Sequence, residues 1–239
     1  MFIRCCIVLI LILPFLLLAL TLGTTDVATD AFVSPVILID PGHGGEDGGT
    51  MAANGTLEKS INLAVSLPLR DVLRLFGFDV RMTRETDVSI HDPGGRTVHE
   101  RKVSDMHNRL ALYESADIVI AIHQNHFSVS KYNGAQVFYA TSVPEGKALA
   151  ASIQQRIITL LQPDNNRVIK PANNGIYLLS HTTKTAVLVE CGFLSNPEEC
   201  DKLNSPLYRQ QLALAIADGC VNYLEKGGAG FAPQNKDNL

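Results

Sequence analysis

The strongest constraint on the fold of this chain is a set of short, unbroken apolar runs: "VILID" (36–40), "DIVIAIH" (117–123) and "AVLVECG" (186–192). A strand that faces water on one side alternates polar and apolar residues. Runs without alternation are expected of strands covered on both faces. Between them lie long segments of helical spacing. "EKSINLAVSLPLRDVLRLFG" (58–77) carries apolar residues from Ile61 to Phe76, with a kink expected at Pro68 and a stop at Gly77. "VSDMHNRLALYES" (103–115) reads as a helix capped by Ser104, and "EGKALAASIQQRIITLL" (145–161) and "LYRQQLALAIADGCVNYL" (207–224) as two more. "FDVRMTR" (78–84), "GAQVFYA" (134–140) and "GIYLL" (175–179) complete the expected strands. Strands alternating with helices long enough to cross over predict the α/β class: a single domain with a mostly parallel or mixed twisted sheet flanked by helices.

That domain is expected over residues 35–225. Ahead of it, Arg4 is the one charged residue before Asp26, and the apolar stretch 5–22 has about the length that crosses a bilayer, for which roughly 17 to 25 residues are needed. Residues 1–22 are read as a signal peptide or N-terminal membrane anchor, 23–34 as a polar linker and 226–239 as a disordered tail. Either reading of the leader sends the domain outside the cytoplasm. A net charge of -4 with no basic block argues against nucleic-acid binding. Cys191, Cys200 and Cys220 lack metal-knuckle spacing and read as partly buried thiols, with one disulfide as the alternative.

In open α/β sheets the site lies outside the carboxyl ends of the strands. "VILID" runs into His43, "DIVIAIH" ends at His123, "AVLVE" ends at Glu190, and Glu58 opens the first helix. Each has an ordinary reading: a turn residue, a hydrogen-bonded core histidine, half of a buried ion pair, and a solvated helix start. Together, two imidazoles and a carboxylate with one open position suit a catalytic zinc, with a second carboxylate as general base. Gly42, Gly44 and Gly45 around His43 would supply left-handed angles and close approach. The competing reading of "GHGGEDGG" as a phosphate cradle lacks the Gly-Lys-Ser/Thr ending and the dinucleotide spacing, and the chain has no HExxH helix.

"DPGHGGEDGG", "LEKSINLAVSLPL", "RMTRETD", "IAIHQN" and "VLVECGFLSNPEE", in this order, resemble the zinc-dependent N-acetylmuramoyl-L-alanine amidases of the bacterial cell wall over residues 36 to about 224. The likeness is greatest to single-domain members linked to sporulation and germination. It implies Zn2+ as cofactor with His43, Glu58 and His123 as ligands, and Glu190 as the catalytic carboxylate. The implied reaction is hydrolysis of the amide between N-acetylmuramic acid and L-alanine, in spore cortex maturation or germination. The substrate partner is peptidoglycan, with the N-terminal segment at a membrane. Asn125 and His126 would border the groove, and Arg84 would contact glycan or peptide unless it serves a structural ion pair. Cell-division members of the family carry a long insertion that covers the site. The four-residue "TSVP" following "GAQVFYA" therefore implies an open site, controlled by location, expression or a partner protein. A non-catalytic wall-binding module and a zinc peptidase of the stem peptide are the alternatives.

Overall fold

The computed structural model describes residues 34–228. The expected leader, most of the linker and most of the tail lie outside those residues. No helix among the described residues is long and apolar enough to cross a membrane.

Six strands form one mixed sheet: β1 (Val36–Pro41), β2 (Asp79–Met82), β3 (Ile118–Asn125), β4 (Gln136–Tyr139), β5 (Lys170–Pro171) and β6 (Thr185–Phe193). Their order across the sheet is β2-β1-β3-β6-β4-β5. The first four in that order are parallel, β4 runs antiparallel to β6, and β5 follows β4 in parallel. The helices are α1 (Glu58–Leu75), α2 (Val98–Glu114), α3 (Glu145–Leu160), α4 (Tyr177–His181), α5 (Pro197–Asn204) and α6 (Pro206–Glu225).

Alternation along the central strands explains their unbroken apolar sequence. Ile37, Ile39, Ile118, Ile120, Val187 and Val189 belong to one core with residues of α1, α3 and α6. Leu38, Val119, Ala121 and Leu188 belong to a second, with Tyr113 of α2 and Leu178 and Leu179 of α4. Both sheet faces are covered, so no strand position is left for a polar residue until the carboxyl ends.

Two expected elements differ. "GIYLL" is not a strand: residues 177–181 form the short helix α4, and the strand partner of β4 is the two-residue β5. Five apolar-rich residues are too few for periodicity to separate helix from strand. Helix α2 starts at Val98, five residues before the expected start, because Thr97 and Glu100 form a capping box. Thr97-x-x-Glu100 is the sequence signature of that cap. Ser104 instead sits inside the helix, where its hydroxyl accepts from Asp92 N–H and donates to Asp92 Oδ2, holding the preceding loop. Thr97→Ala is expected to cost about 1 kcal/mol in urea unfolding, without touching activity. The three cysteines are free and buried, so the disulfide alternative falls away.

Candidate active site

Four groups meet where β1, β3 and β6 end against the start of α1. Glu58, the first residue of α1, is almost fully buried and sits between the two imidazoles. Its Oε1 lies 2.9 Å from His123 Nδ1, and its Oε2 lies 3.2 Å from His43 Nε2. Thr50 N–H donates to Oε2 at 2.9 Å and Gln124 N–H to Oε1 at 3.2 Å. One turn along α1, Asn62 Nδ2 donates to Glu58 Oε1 and to Gly42 O. Burial opposes the Glu58 carboxylate, yet these imidazoles and hydrogen bonds hold it well below the usual carboxylate range.

His43 is the one described residue other than glycine with a positive φ, at 62°. Such an angle is costly for a residue with a Cβ and persists only where its surroundings fix it. Here Asp47 Oδ2 lies 2.8 Å from His43 Nδ1. A carboxylate can only accept, so Nδ1 carries the hydrogen and Nε2 faces inward, the second-layer arrangement that orients metal-binding histidines. Burial pulls against the imidazolium, but Asp47 and Glu58 together raise the His43 pKa to about 9. Ligand atoms of His43, Glu58 and His123 all lie within 4.8 Å of one another, close enough to hold one metal ion.

Glu190 pairs in register with His123 across the central parallel strands, so the two side chains stand side by side on one sheet face. Its Oε2 is buried without a hydrogen-bond partner. Burial pushes its pKa up to about 7; the imidazole charges oppose the rise and Glu58 adds to it. An unpaired buried carboxylate is expensive. It stands beside the two-histidine, one-carboxylate cluster, next to His123 across the sheet.

The N-acetylmuramoyl-L-alanine amidase family model matches residues 37–222. The chain belongs to that family. The germination-specific N-acetylmuramoyl-L-alanine amidase of Bacillus subtilis (strain 168) is 36% identical over 195 residues, 81% of this chain and 81% of that protein. AmiA of Escherichia coli (strain K12) is 28% identical over 230 residues, covering 79% and 75%. The CwlD amidase of Clostridioides difficile, solved in complex with the GerS lipoprotein, aligns with a TM-score of 0.78 at 37% identity, covering 81% of this chain and 100% of that one.

In the amidase, much of what holds the four groups was not apparent from strand ends. Asp40, fully buried in β1, receives the hydroxyls of Thr83 at 2.6 Å and Tyr113 at 2.7 Å, and pairs with the buried guanidinium of Arg109. Arg109 also donates to His43 O at 2.8 Å and to Asp105 at 2.6 Å. The His43 turn is thus clamped from beneath. A charge within "VILID" was the available signal: an aspartate in a fully buried strand requires a buried partner.

Arg84 is 3% exposed, and its guanidinium donates to the carbonyls of Pro41, Gly42, Lys59 and Thr86. It has no free surface for glycan or peptide and forms no ion pair; it pins the glycine loop. Asn125 is half-buried and its Oδ1 accepts from His126 N–H at 2.8 Å, while His126 itself is exposed beyond the site. Cys191 points to the opposite face from Glu190 and is fully buried in the core. The "TSVP" connection does not bear on access. Tyr139, just before it, pairs with Val187, and antiparallel β4 has by then carried the chain away from Glu190. The connection lies at the other end of the sheet from the four groups.

Gly44 and Gly45 have the expected positive φ, but Gly42 does not. Space is what Gly42 provides: a Cβ there would fall 2.2 Å from His123 Cε1. Gly42→Ala is therefore expected to displace the His123 ring and weaken metal binding by tenfold or more. Competition with a coloured chelator measures this; unchanged affinity would remove His123 from the ligand set.

Proposed function

We propose that this amidase is a zinc hydrolase in which His43, Glu58 and His123 hold the metal and Glu190 is the general base. Its substrate is peptidoglycan outside the cytoplasm, and its setting is the spore cortex. The observation that carries the mechanism is the partnerless Oε2 of Glu190 beside the His/Glu/His cluster. Two nitrogens and one oxygen from three side chains, one imidazole already oriented by Asp47, suit zinc with an open position. Bound there, zinc would supply Lewis acidity, polarising the scissile carbonyl and bringing the pKa of water to about 7.

The chain's own groups then do the proton work. Glu190 takes a proton from water as its oxygen attacks the carbonyl carbon of the lactyl group. The C–N bond breaks, and Glu190 returns the proton to the departing L-alanine nitrogen. A carboxyl that accepts a proton from water can release it again to the amine. Asp47 keeps His43 in one orientation throughout, and Thr50 and Gln124 N–H groups do the same for Glu58. The spore setting is supported by the name of the Bacillus relative, and a protein partner by the CwlD complex.

Digestion of defined muropeptides with and without chelator, read by mass spectrometry, tests the proposal. The expected products are intact stem peptide with a free N-terminal alanine and peptide-free sugar, both abolished by chelation and restored by zinc. Fragments cut within the stem peptide would identify a peptidase instead. Turnover unaffected by chelation would remove the metal.

A further inference from the structure

The loop between β3 and β4, "HFSVSKYNG" (126–134), puts large apolar side chains on the surface. Phe127 is 49% exposed, Val129 47% and Tyr132 41%. They are ordered by what lies beneath. Phe127 stacks on fully buried Phe193 with ring centroids 5.6 Å apart at 25°, and Tyr132 leans on Phe127 at 5.4 Å. The Phe127 N–H donates to Ser195 Oγ, and Asn196 Nδ2 donates to Tyr132 O, tying both ends of the loop to the chain after β6. Register explains the position. His123 pairs with Glu190 but Asn125 pairs with Phe193, so β6 carries an extra residue between them. That irregularity returns Phe193 to the face that bears Glu190 and His123. The aromatic group therefore begins roughly 7 Å beyond the catalytic carboxylate, the rise of the two β3 residues from His123 to Asn125 at about 3.3 Å each.

We propose that Phe127 and Tyr132 form a shelf on which a pyranose ring of the glycan strand stacks, an assignment that rests on the peptidoglycan reading above. A sugar presents an apolar face of C–H groups that carry slight positive charge, and an aromatic ring presents a negative face to receive them. Phe127 follows His123 by four residues at the end of β3, and the scissile amide hangs from a sugar, so a pyranose must lie within a ring or two of Glu190. On the β1 side, a cavity of about 270 Å³ lined by Met106, Tyr177 and Asp105 opens beside His43. That concave side suits the peptide. The flat, ring-lined β6 side suits the sugar.

The test uses the two reaction products as probes, peptide-free glycan strands and free stem peptide, titrated by calorimetry into the zinc-loaded protein. Neither is turned over, so the result does not depend on catalysis. The variant is Phe127→Leu with Tyr132→Leu, which keeps apolar bulk but not the flat rings. Glycan strands are expected to bind the variant at least tenfold more weakly than wild type, with stem-peptide affinity unchanged. Equal glycan affinity in both, or no glycan binding by wild type, overturns the shelf. An equal loss for both probes overturns it too, leaving the rings a structural role. Wild type that self-associates through these rings, with a monomeric variant by sedimentation, would reassign them to a second copy of the chain. Wild type that binds glycan through the rings yet releases no stem peptide from sacculi would sink the amidase mechanism and not the shelf.

Discussion

Glu190→Gln lowers the hydrolysis rate by roughly two to four orders of magnitude, the range expected on losing a general base, while zinc content stays that of wild type. The same substitution makes the metal-free protein more stable. The folded protein holds the Glu190 proton up to a pKa of about 7, against 4.5 for a free side chain. A group whose pKa is raised on folding contributes fully below its unfolded pKa, and that contribution is lost as pH rises through the folded value. Between pH 4.5 and about 7 the metal-free wild type therefore loses stability, by up to about 3 kcal/mol at 1.36 kcal/mol per pKa unit. Glutamine does not titrate and suffers no such loss. Urea unfolding in chelator at pH 5 and pH 8 measures both proteins, and the gap between them should open at the higher pH. A gap that is constant with pH would mean that Glu190 is not held protonated by burial.

Arg109→Met produces the largest loss of stability, about 3 to 5 kcal/mol, because it leaves a buried carboxylate without its cation. Asp40 and Arg109 are both almost wholly buried. In wild type, burial opposes the Asp40 charge, but Arg109 and the Thr83 and Tyr113 hydroxyls hold its pKa below 3.8. A depressed pKa contributes stability above the unfolded value, and the contribution is lost as pH falls through the folded one. Without Arg109, burial dominates and Asp40 takes up a proton more readily. The deficit of the variant should accordingly be greatest near neutral pH and shrink on acidification below pH 4, as thermal unfolding across that range would show. Metal affinity should fall as well, since Arg109 holds the carbonyl of His43. A variant with normal affinity would show that the turn is fixed by Asp47 and Arg84 alone.

The sequence makes the central strands legible because each is covered on both sides, and the site legible because each such strand changes character at one end. His123 and Glu190 are found that way, and the structure sets them in register. His43 follows the same logic two residues past its strand. Glu58 is different. Its helix-opening position looks like that of any solvated acid, and although it stands among the four candidates, the family motif gives it most of its weight. Asp40 and Arg109 pair across 69 residues, and the aspartate inside "VILID" signals a buried partner without saying which; Asp47 lies four residues from His43, where a polar residue in a glycine loop announces nothing. Arg84 misleads for a related reason: an arginine beside a glycine loop reads as a substrate contact until its guanidinium is seen to be used up by backbone carbonyls. The α4 segment fails on length, and α2 shows that a capping signature outranks the start of an apolar pattern.

The direction of β4 has a practical consequence for anyone attaching a label or tethering this enzyme to a surface. Because β1, β2, β3 and β6 all point the same way, the connections that enter β2, β3 and β6 (76–78, 115–117 and 182–184) emerge at the end remote from His43, Glu58 and His123. The return of β4 adds 140–144 to that group. The eight residues of β3 separate them from His126 by roughly 26 Å at about 3.3 Å per residue. A fluorophore or fused domain carried at 140–144 would project from the end of the sheet opposite His43, Glu58 and His123, leaving those groups unobstructed.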